Sequence, residues 1–132
     1  MIQFIFVGKF RNDFVKEGFH EYYKRLSRFT KTELIEVKET DVERIQSLAK
    51  HEMVVLDVEG TMMDSVQLAS FIKDRDLSIV IGGPEGLPCH IRDAGQKISM
   101  SLMTFPHLLI RLMLVEQVYR ALTINKGMSY HK

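Results

Sequence analysis

The last three residues, Tyr130, His131 and Lys132, combine an aromatic ring, an imidazole and a cation. An aromatic ring can stack on a nucleic-acid base, an imidazole can move a proton, and an ammonium group can meet a phosphate. A chain end can equally be a disordered polar segment without a function. The tail by itself is compatible with both interpretations.

Two polar pairs precede the tail at helical spacing. His107 and Arg111 are four residues apart, as are Glu116 and Arg120, so each pair can share one face of a helix. Glu116 and Arg120 can form a helix ion pair that contributes roughly a few tenths of a kcal/mol. An arginine held by a carboxylate is also preorganised to bind a phosphate. The spacing does not choose between these roles.

A glycine-rich segment, SIVIGGPEGL at residues 78–87, ends a run of apolar residues. The phosphate-binding loop of P-loop enzymes needs a Lys and a Ser or Thr after its glycines, whereas Leu87 and Pro88 follow here. Glu85 would also repel a phosphate. The segment therefore indicates either a backbone site for a neutral or positively charged ligand, or a tight strand-to-helix turn that binds nothing.

Composition narrows the class of protein. The chain has 132 residues, 45% of them hydrophobic and 27% charged, which predicts one globular domain spanning residues 1–132. The single Cys89 excludes an internal disulfide, and no run of apolar residues is long enough for a membrane span. The N-terminus lacks the features of a signal peptide, so we expect a cytoplasmic protein. The five histidines show no metal-ligand spacing, and no metal is expected.

The charges are unevenly distributed along the chain. Residues 1–31 carry seven Lys or Arg and three acids, residues 32–106 carry seven and thirteen, and residues 107–132 carry four and one. The net charges of +4, −6 and +3 sum to the overall +1. If the two basic ends meet in space, they can form a face for nucleic acid. Ordinary solvated charge is the alternative.

Hydrophobic patterning predicts alternating strands and helices. The expected strands are 2–8, 33–39, 53–58, 77–83 and, with a following loop, 97–105. The expected helices are 12–28 with Asn12 as N-cap, 41–50 opened by Asp41, 65–75 capped by Asp64, a short one after Pro88, and one from Pro106 to about Asn125 that stops at Gly127. This order is typical of an α/β fold with a mainly parallel sheet and helices on both faces.

Three predicted loops, 57–63, 82–87 and 100–105, follow strands of this sheet. Ligands of such sheets bind beyond the carboxyl ends of the strands. We therefore expect the glycine-rich segment to share a ligand site with the other two loops.

The last predicted helix, LLIRLMLVEQVYRALTI, is apolar nearly all round. A helix of this kind needs more cover than one face of a small sheet provides. We therefore predict a homodimer through the C-terminal helix, with two-fold symmetry as the simplest arrangement. A charge at Leu112 or Val115 is then expected to yield a monomer or an aggregate.

Several segments together resemble one family. VVLDVEG, IVIGGPEGL, ISMSLMTFPHLLIRLMLVEQVYRA and the terminal YHK are similar, in this order, to the ribosomal RNA large-subunit methyltransferase H family. Its members are the 23S rRNA pseudouridine-N3 methyltransferases of the SPOUT superfamily. The resemblance extends over the whole chain, from FIFVGK to the last residue.

The resemblance implies an α/β fold with a C-terminal trefoil knot, a homodimer, and S-adenosylmethionine bound in a bent conformation. It implies N3 methylation of a pseudouridine in 23S rRNA on the assembled 70S ribosome. The positions that match the family's cofactor contacts are Leu56, Gly82, Met100, Ser101, Leu102, Met103, Thr104 and Phe105. The polar family positions near the acceptor are His107, Glu116, Arg120, Tyr130 and His131.

The chemistry of these polar side chains suggests a role for some of them. His131 or Tyr130 is the candidate for proton handling and base contact. Arg120, held by Glu116, would bind a phosphate or offset anionic charge. Deprotonation of the substrate by the surrounding field alone, without a general base, is an alternative.

The chain departs from the family pattern in two places. It is shorter than other members around residues 39–52, and it ends in Lys132 where some relatives end differently. The shortened segment leaves two alternative functions open. One is a SPOUT methyltransferase that acts on a different RNA base, and the other is a ribosome-binding dimer without catalytic activity.

Overall fold

A computed structural model describes residues 1–132 and contains one five-stranded parallel sheet with the strand order β2-β1-β4-β3-β5. The strands are β1 (Ile2–Val7), β2 (Thr32–Val37), β3 (Glu52–Met62), β4 (Leu77–Ile81) and β5 (Gln96–Ser99). The helices are α1 (Phe14–Leu26), α2 (Ile45–Leu48), α3 (Ser65–Ile72), α4 (Cys89–Arg92) and α5 (Leu109–Asn125). None of these helices has the length and hydropathy needed to span a bilayer.

The central strands β1 and β4 are buried on both faces, which explains their continuous apolar sequences. On one face, Phe4 and Phe6 of β1 pack in a core shared with α1, α3 and α5. On the other face, Ile5 and Val7 pack with Ile45 of α2 and with residues of α4. The α/β fold with helices on both faces is therefore confirmed. The trefoil knot stays a prediction of the resemblance.

Several element boundaries differ from the sequence prediction. Asp13, not Asn12, caps α1, because its carboxylate accepts from the backbone N–H groups of Val15 and Lys16. The predicted helix 41–50 is instead a 3-10 helix at Glu39–Arg44 followed by the short α2. The cap of α3 at Asp64 is confirmed, with Gln67 completing a capping box.

The prediction that the third strand ends at residue 58, with a loop at 57–63, is wrong. β3 continues to Met62, and both Leu56 and Thr61 lie opposite Ile98 of β5. The four residues between them leave the ladder as a bulge, which we call the β3 excursion (residues 57–60). A side chain at Gly60 would place its Cβ 2.6 Å from the backbone nitrogen of Ile98. Glycine is therefore required where the excursion rejoins β5.

The start of the last helix is also later than predicted. Pro106 does not occupy its first turn, because α5 begins at Leu109 with Leu108 as N-cap. Residues 100–108 are turns and irregular backbone, so the loop after β5 is longer than expected.

More of the apolar surface of α5 is buried by its own chain than the sequence suggested. It packs between α1 and α3 on the sheet, where Leu112 contacts Gly18 of α1 and Ser65 of α3 donates to Gln117 at 2.6 Å. Val115 is fully buried in the core. A charge at Leu112 or Val115 would therefore disturb the packing of the monomer first, and these positions are unsuitable for testing an interface.

The face of α5 opposite its buried residues carries Leu109, Met113, Glu116 and Arg120, all of them half-buried. We call these four residues the outward stripe. Its N-terminal half is apolar and its C-terminal half is charged.

Arg111 is a fully buried cation that links α5 to the sheet. Its Nη2 donates to the carbonyl oxygens of Val7 at 2.7 Å and of Gly8 at 3.0 Å. The guanidinium lies 4.9 Å from the ring centre of Phe6 and 4.8 Å from that of Phe10. Burial lowers the pKa of Arg111 to about 10, so it remains charged at neutral pH. His107 and Arg111 do not share a helix face as the spacing allowed, because His107 precedes α5 and Arg111 is buried.

The replacement Gly60→Ala is expected to destabilise the protein by about 3 kcal/mol, the upper end for overpacked sites, because the obstructing atoms are backbone. Chemical denaturation followed by circular dichroism measures the loss. Gly127→Ala is the control: Gly127 has φ of 68° and open space around it, so the cost is only the strain of the left-handed backbone, about 1 kcal/mol. Equal stability of the two variants would contradict the close approach of β3 and β5.

Candidate cofactor and acceptor sites

A cavity of about 370 Å³ lies at the carboxyl edge of the sheet. Its size is within the range of about 300–1,000 Å³ that is usual for small-molecule sites. Residues 55–58 of β3, the glycine-rich loop after β4 and the long loop after β5 form its walls, and the start of α5 closes one side. The three loops expected from the sequence are therefore brought together.

Seven of the eight predicted cofactor contacts line this cavity: Leu56, Gly82, Met100, Ser101, Met103, Thr104 and Phe105. Leu102 does not line it, and 78% of that residue is exposed. The side chain of Leu102 thus points away from the cavity, although its backbone belongs to the same loop.

The glycine-rich loop makes a tight turn at the cavity wall. Gly83 and Gly86 pair as an isolated antiparallel bridge, and Gly86 has φ of 73°. A Cβ at Gly82 would lie 3.1 Å from Leu87 and 3.2 Å from the backbone of Gly86. The loop therefore presents backbone rather than side chains to the cavity at Gly82, which suits a ligand recognised by N–H and C=O groups.

Three charged residues that the sequence analysis did not assign line the cavity: Asp57, Glu85 and Arg92. The side chain of Asp57 is only 11% exposed, and its Oδ1 accepts from the backbone N–H of Glu59 at 2.9 Å. Arg92 Nε lies 3.6 Å from Asp57 Oδ2 and makes no hydrogen bond. The two carboxylates and the guanidinium suit a ligand that carries both a positively charged group and a carboxylate.

For two of these three residues, the sequence contains a feature that could have indicated a site. Asp57 ends an apolar run, and Glu85 lies within the glycine-rich segment. Arg92 gave no such signal, because α4 reaches the cavity only through the tertiary fold.

His107, one of the residues predicted to lie near the acceptor, also lines the cavity. Burial, and secondly the charge of Arg111, lower the pKa of His107 below its usual value. The imidazole is therefore neutral at neutral pH.

The other four predicted polar residues form a separate group, which we call the tail cluster: Glu116, Arg120, Tyr130 and His131. Arg120 Nε donates to Glu116 Oε1 at 2.8 Å, and Arg120 Nη1 lies 3.1 Å from His131 Nδ1. The guanidinium of Arg120 also lies 4.9 Å from the ring centre of Tyr130. The chain end is thus held against α5.

The basic ends of the chain meet at the tail cluster. Tyr119 of α5 stacks on Phe29, with ring centres 5.8 Å apart, and makes an edge contact with Tyr130 at 4.9 Å. Lys126 lies over the ring of Phe29, and Arg25 lies over the ring of Tyr22. Aromatic rings interleaved with cations are typical of surfaces that bind single-stranded RNA.

Within one chain, the tail cluster does not line the cavity. Ile110 borders the cavity and Arg120 belongs to the tail cluster, and ten residues of helix between them correspond to about 15 Å. A smaller recess of about 280 Å³ shares Ser99 and Met100 with the cavity and reaches Met113 and Gln117 on α5. It extends from the cavity toward the tail cluster without joining the two.

The cavity is lined by one guanidinium, that of Arg92, which lies next to the carboxylate of Asp57. No Lys lines the cavity, and no three His, Cys, Asp or Glu side chains are grouped so that they could hold a metal ion.

Comparison with known proteins shows which family the chain is similar to. The family model described as predicted SPOUT methyltransferase matches residues 1–131. Among proteins named ribosomal RNA large subunit methyltransferase H, that of Coprothermobacter proteolyticus is 41% identical, with 99% of each chain covered. Those of Caldicellulosiruptor saccharolyticus and Streptococcus gordonii are 40% and 36% identical, with 100% and 99% of each chain covered.

Solved structures show the same fold. A proposed RNA methyltransferase from Bacillus anthracis superposes with a TM-score of 0.54 at 14% identity, with both chains fully covered. A proposed methyltransferase from Legionella pneumophila, solved with its cofactor SAM bound, gives a TM-score of 0.55 at 8% identity over 91% of this chain and 66% of that one.

SPOUT methyltransferases use S-adenosylmethionine, and the cavity fits this molecule: it presents a backbone cradle at Gly82, acids for a cation, and the guanidinium of Arg92 for a carboxylate. The full-length match and the identity of up to 41% show that the chain belongs to the ribosomal RNA large subunit methyltransferase H family of SPOUT methyltransferases.

Proposed function

We propose that the protein methylates N3 of a pseudouridine in 23S rRNA on the assembled 70S ribosome, with S-adenosylmethionine as the methyl donor. The observation that carries the proposal is the cavity built by the three edge loops in a chain of this family. Bacterial ribosomes are cytoplasmic, so the protein would act in the cytoplasm.

The residues that would hold the cofactor are Leu56, Gly82 and the loop 100–105. Asp57 and Glu85 offer negative charge to its cationic groups, and Arg92 offers a donor to its carboxylate. When bound, the cofactor supplies a methyl group on a positively charged sulfur. The chain's contribution is to hold that group in line with the acceptor nitrogen and to exclude competing water.

On the acceptor, the reaction requires the loss of a proton and the stabilisation of an anion. N3 of a pseudouridine is an imide nitrogen, and its proton must leave before or during the transfer. The negative charge that develops spreads onto the two carbonyl oxygens beside N3. Donors and cations placed near those oxygens stabilise it, and the tail cluster supplies both. Arg120 and Lys132 can also bind backbone phosphates.

We propose further that the active form is a two-fold homodimer through the outward stripe of α5. In one chain the tail cluster lies about 15 Å along α5 from the cavity. If two α5 helices cross antiparallel at the stripe, the tail of one subunit comes near the cavity of the other. This arrangement would also cover the half-buried Leu109 and Met113.

The first prediction from this proposal is methyl transfer to ribosomes from a strain that lacks the corresponding methyltransferase. With tritium-labelled cofactor, label is expected in 23S rRNA, at one pseudouridine identified by mass spectrometry. Ribosomes in which the target remains uridine are the control and should stay unlabelled. Label at another base would identify a SPOUT enzyme with a different acceptor, and salt-sensitive binding without label would favour a ribosome-binding dimer; either result contradicts the proposal.

The interface predicts a second result. Met113→Asp adds a charge to the apolar half of the outward stripe, so light scattering should show a folded monomer that has lost methyl transfer. Ser70→Asp adds the same charge to an exposed position of α3 and should remain a fully active dimer. A Met113→Asp variant that stays dimeric and active would refute this interface.

A shared site predicts complementation between two inactive variants. Gly82→Val should block the cavity, because Leu87 and the Gly86 backbone already crowd Gly82, and His131→Ala should remove a tail residue. A mixture allowed to exchange subunits should regain about a quarter of wild-type activity, since half the dimers then hold one complete site. No recovery, despite exchange confirmed by mass spectrometry, would show that each site is built from one chain.

A further inference from the structure

The hydrogen bond between Arg120 and His131 determines which nitrogen of the imidazole carries a proton. A guanidinium has only N–H groups to offer and cannot accept a hydrogen bond. Arg120 Nη1 lies 3.1 Å from His131 Nδ1, so Nδ1 must accept through its lone pair. The proton of the neutral ring is then on Nε2.

Glu116 fixes this arrangement. Its two oxygens accept from Arg120 Nε at 2.8 Å and Nη2 at 3.3 Å, which leaves Nη1 directed at the imidazole. Glu116 therefore holds the guanidinium so that an N–H of Nη1 faces His131 Nδ1. Glu116 is occupied by Arg120 and serves as a positioning residue.

The Nε2–H group of His131 is available to a ligand. His131 is half-buried, and no protein group bonds to its Nε2. Tyr130 beside it is a second donor, because burial and the neighbouring Tyr22 raise its pKa to about 12. Neither side chain, as the structure holds it, presents a free basic atom on the side away from Arg120.

We propose that His131 acts on the acceptor as a hydrogen-bond donor through Nε2–H, and not as the base that removes the N3 proton. The inference rests on the proposed function, and it names a carbonyl oxygen beside N3 as the group that His131 contacts. The N3–H bond breaks and its proton passes to water. The anion keeps the electron pair and uses it to form the N3–carbon bond, while the departing sulfur keeps the pair of the bond that breaks.

Three substitutions at position 131 separate a donor from a base. His131→Gln keeps an N–H donor at about the distance of Nε2 but cannot act as a base. His131→Glu offers a basic carboxylate without a donor, and His131→Ala offers neither. Single-turnover methylation of ribosomes at saturating enzyme and cofactor measures the chemical step apart from binding, and thermal melting verifies that each variant is folded.

The donor role predicts that His131→Gln retains activity within about tenfold of wild type, while the Glu and Ala variants lose about 100-fold or more, as for the loss of one preorganised donor. A Glu variant more active than the Gln variant would establish a base and overturn the proposal. Equal losses in all three, or no loss in any, would overturn it as well.

Nitrogen-15 NMR of the dimer gives a readout that does not depend on methyl transfer. With labelled histidine, and with His131→Gln to assign the signal, His131 should show a protonated Nε2 and an unprotonated Nδ1 at neutral pH. Arg120→Met should release the ring to a mixture of the two neutral forms. A proton on Nδ1 in the wild type would overturn the inference. Wild-type enzyme that leaves ribosomes unmethylated would instead refute the proposed function, while the NMR result would stand.

Discussion

The constraint on which the site depends is that five parallel strands end at one edge of a sheet. Parallel strands carry their loops to the same side, so the loops after β4 and β5 meet there and face residues 55–58 of β3. β3 adds a second feature, because it leaves the ladder at Leu56 and returns to the same partner, Ile98, at Thr61. The bulge places Asp57 on the cavity wall, and it exists only because Gly60 allows the backbones of β3 and β5 to touch.

α5 connects the cavity to the residues that would meet the acceptor. Its first turns border the cavity, and its last turns hold the chain end through Arg120 and Tyr119. Arg111 fixes the helix in register with the sheet, because its guanidinium bonds to two carbonyls at the end of β1 between two aromatic rings. A buried charge is costly, and Arg111 offsets this cost only through Nη2, since its Nε and Nη1 have no hydrogen-bond partner. Burial, and secondly the charge of Arg111, lower the pKa of His107.

The central strands could be predicted from the sequence, because β1 and β4 are continuous apolar runs. The start of α3 could also be predicted, because Asp64 and Gln67 have the spacing of a capping box. The assignment of Leu56, Gly82 and loop 100–105 to a cofactor came from family resemblance, since glycines alone fit a turn equally well. The β3 excursion could not be predicted: Gly60 is typical of a strand end, and only pairing with β5 overrides that preference. The burial of Arg111 could not be predicted either, because its hydrogen-bond partners lie more than 100 residues earlier in the chain. The packing of α1 and α3 against α5 likewise depends on the tertiary fold.

We propose that the three edge loops form the cofactor site and that the tail cluster faces it only from another subunit. A crystal structure of the protein with S-adenosylhomocysteine tests this most directly. We expect the ligand between Leu56, Gly82 and the loop 100–105, with the chain end of a second copy beside its sulfur atom. Ligand bound elsewhere, or a site closed entirely by residues of one chain, would contradict it.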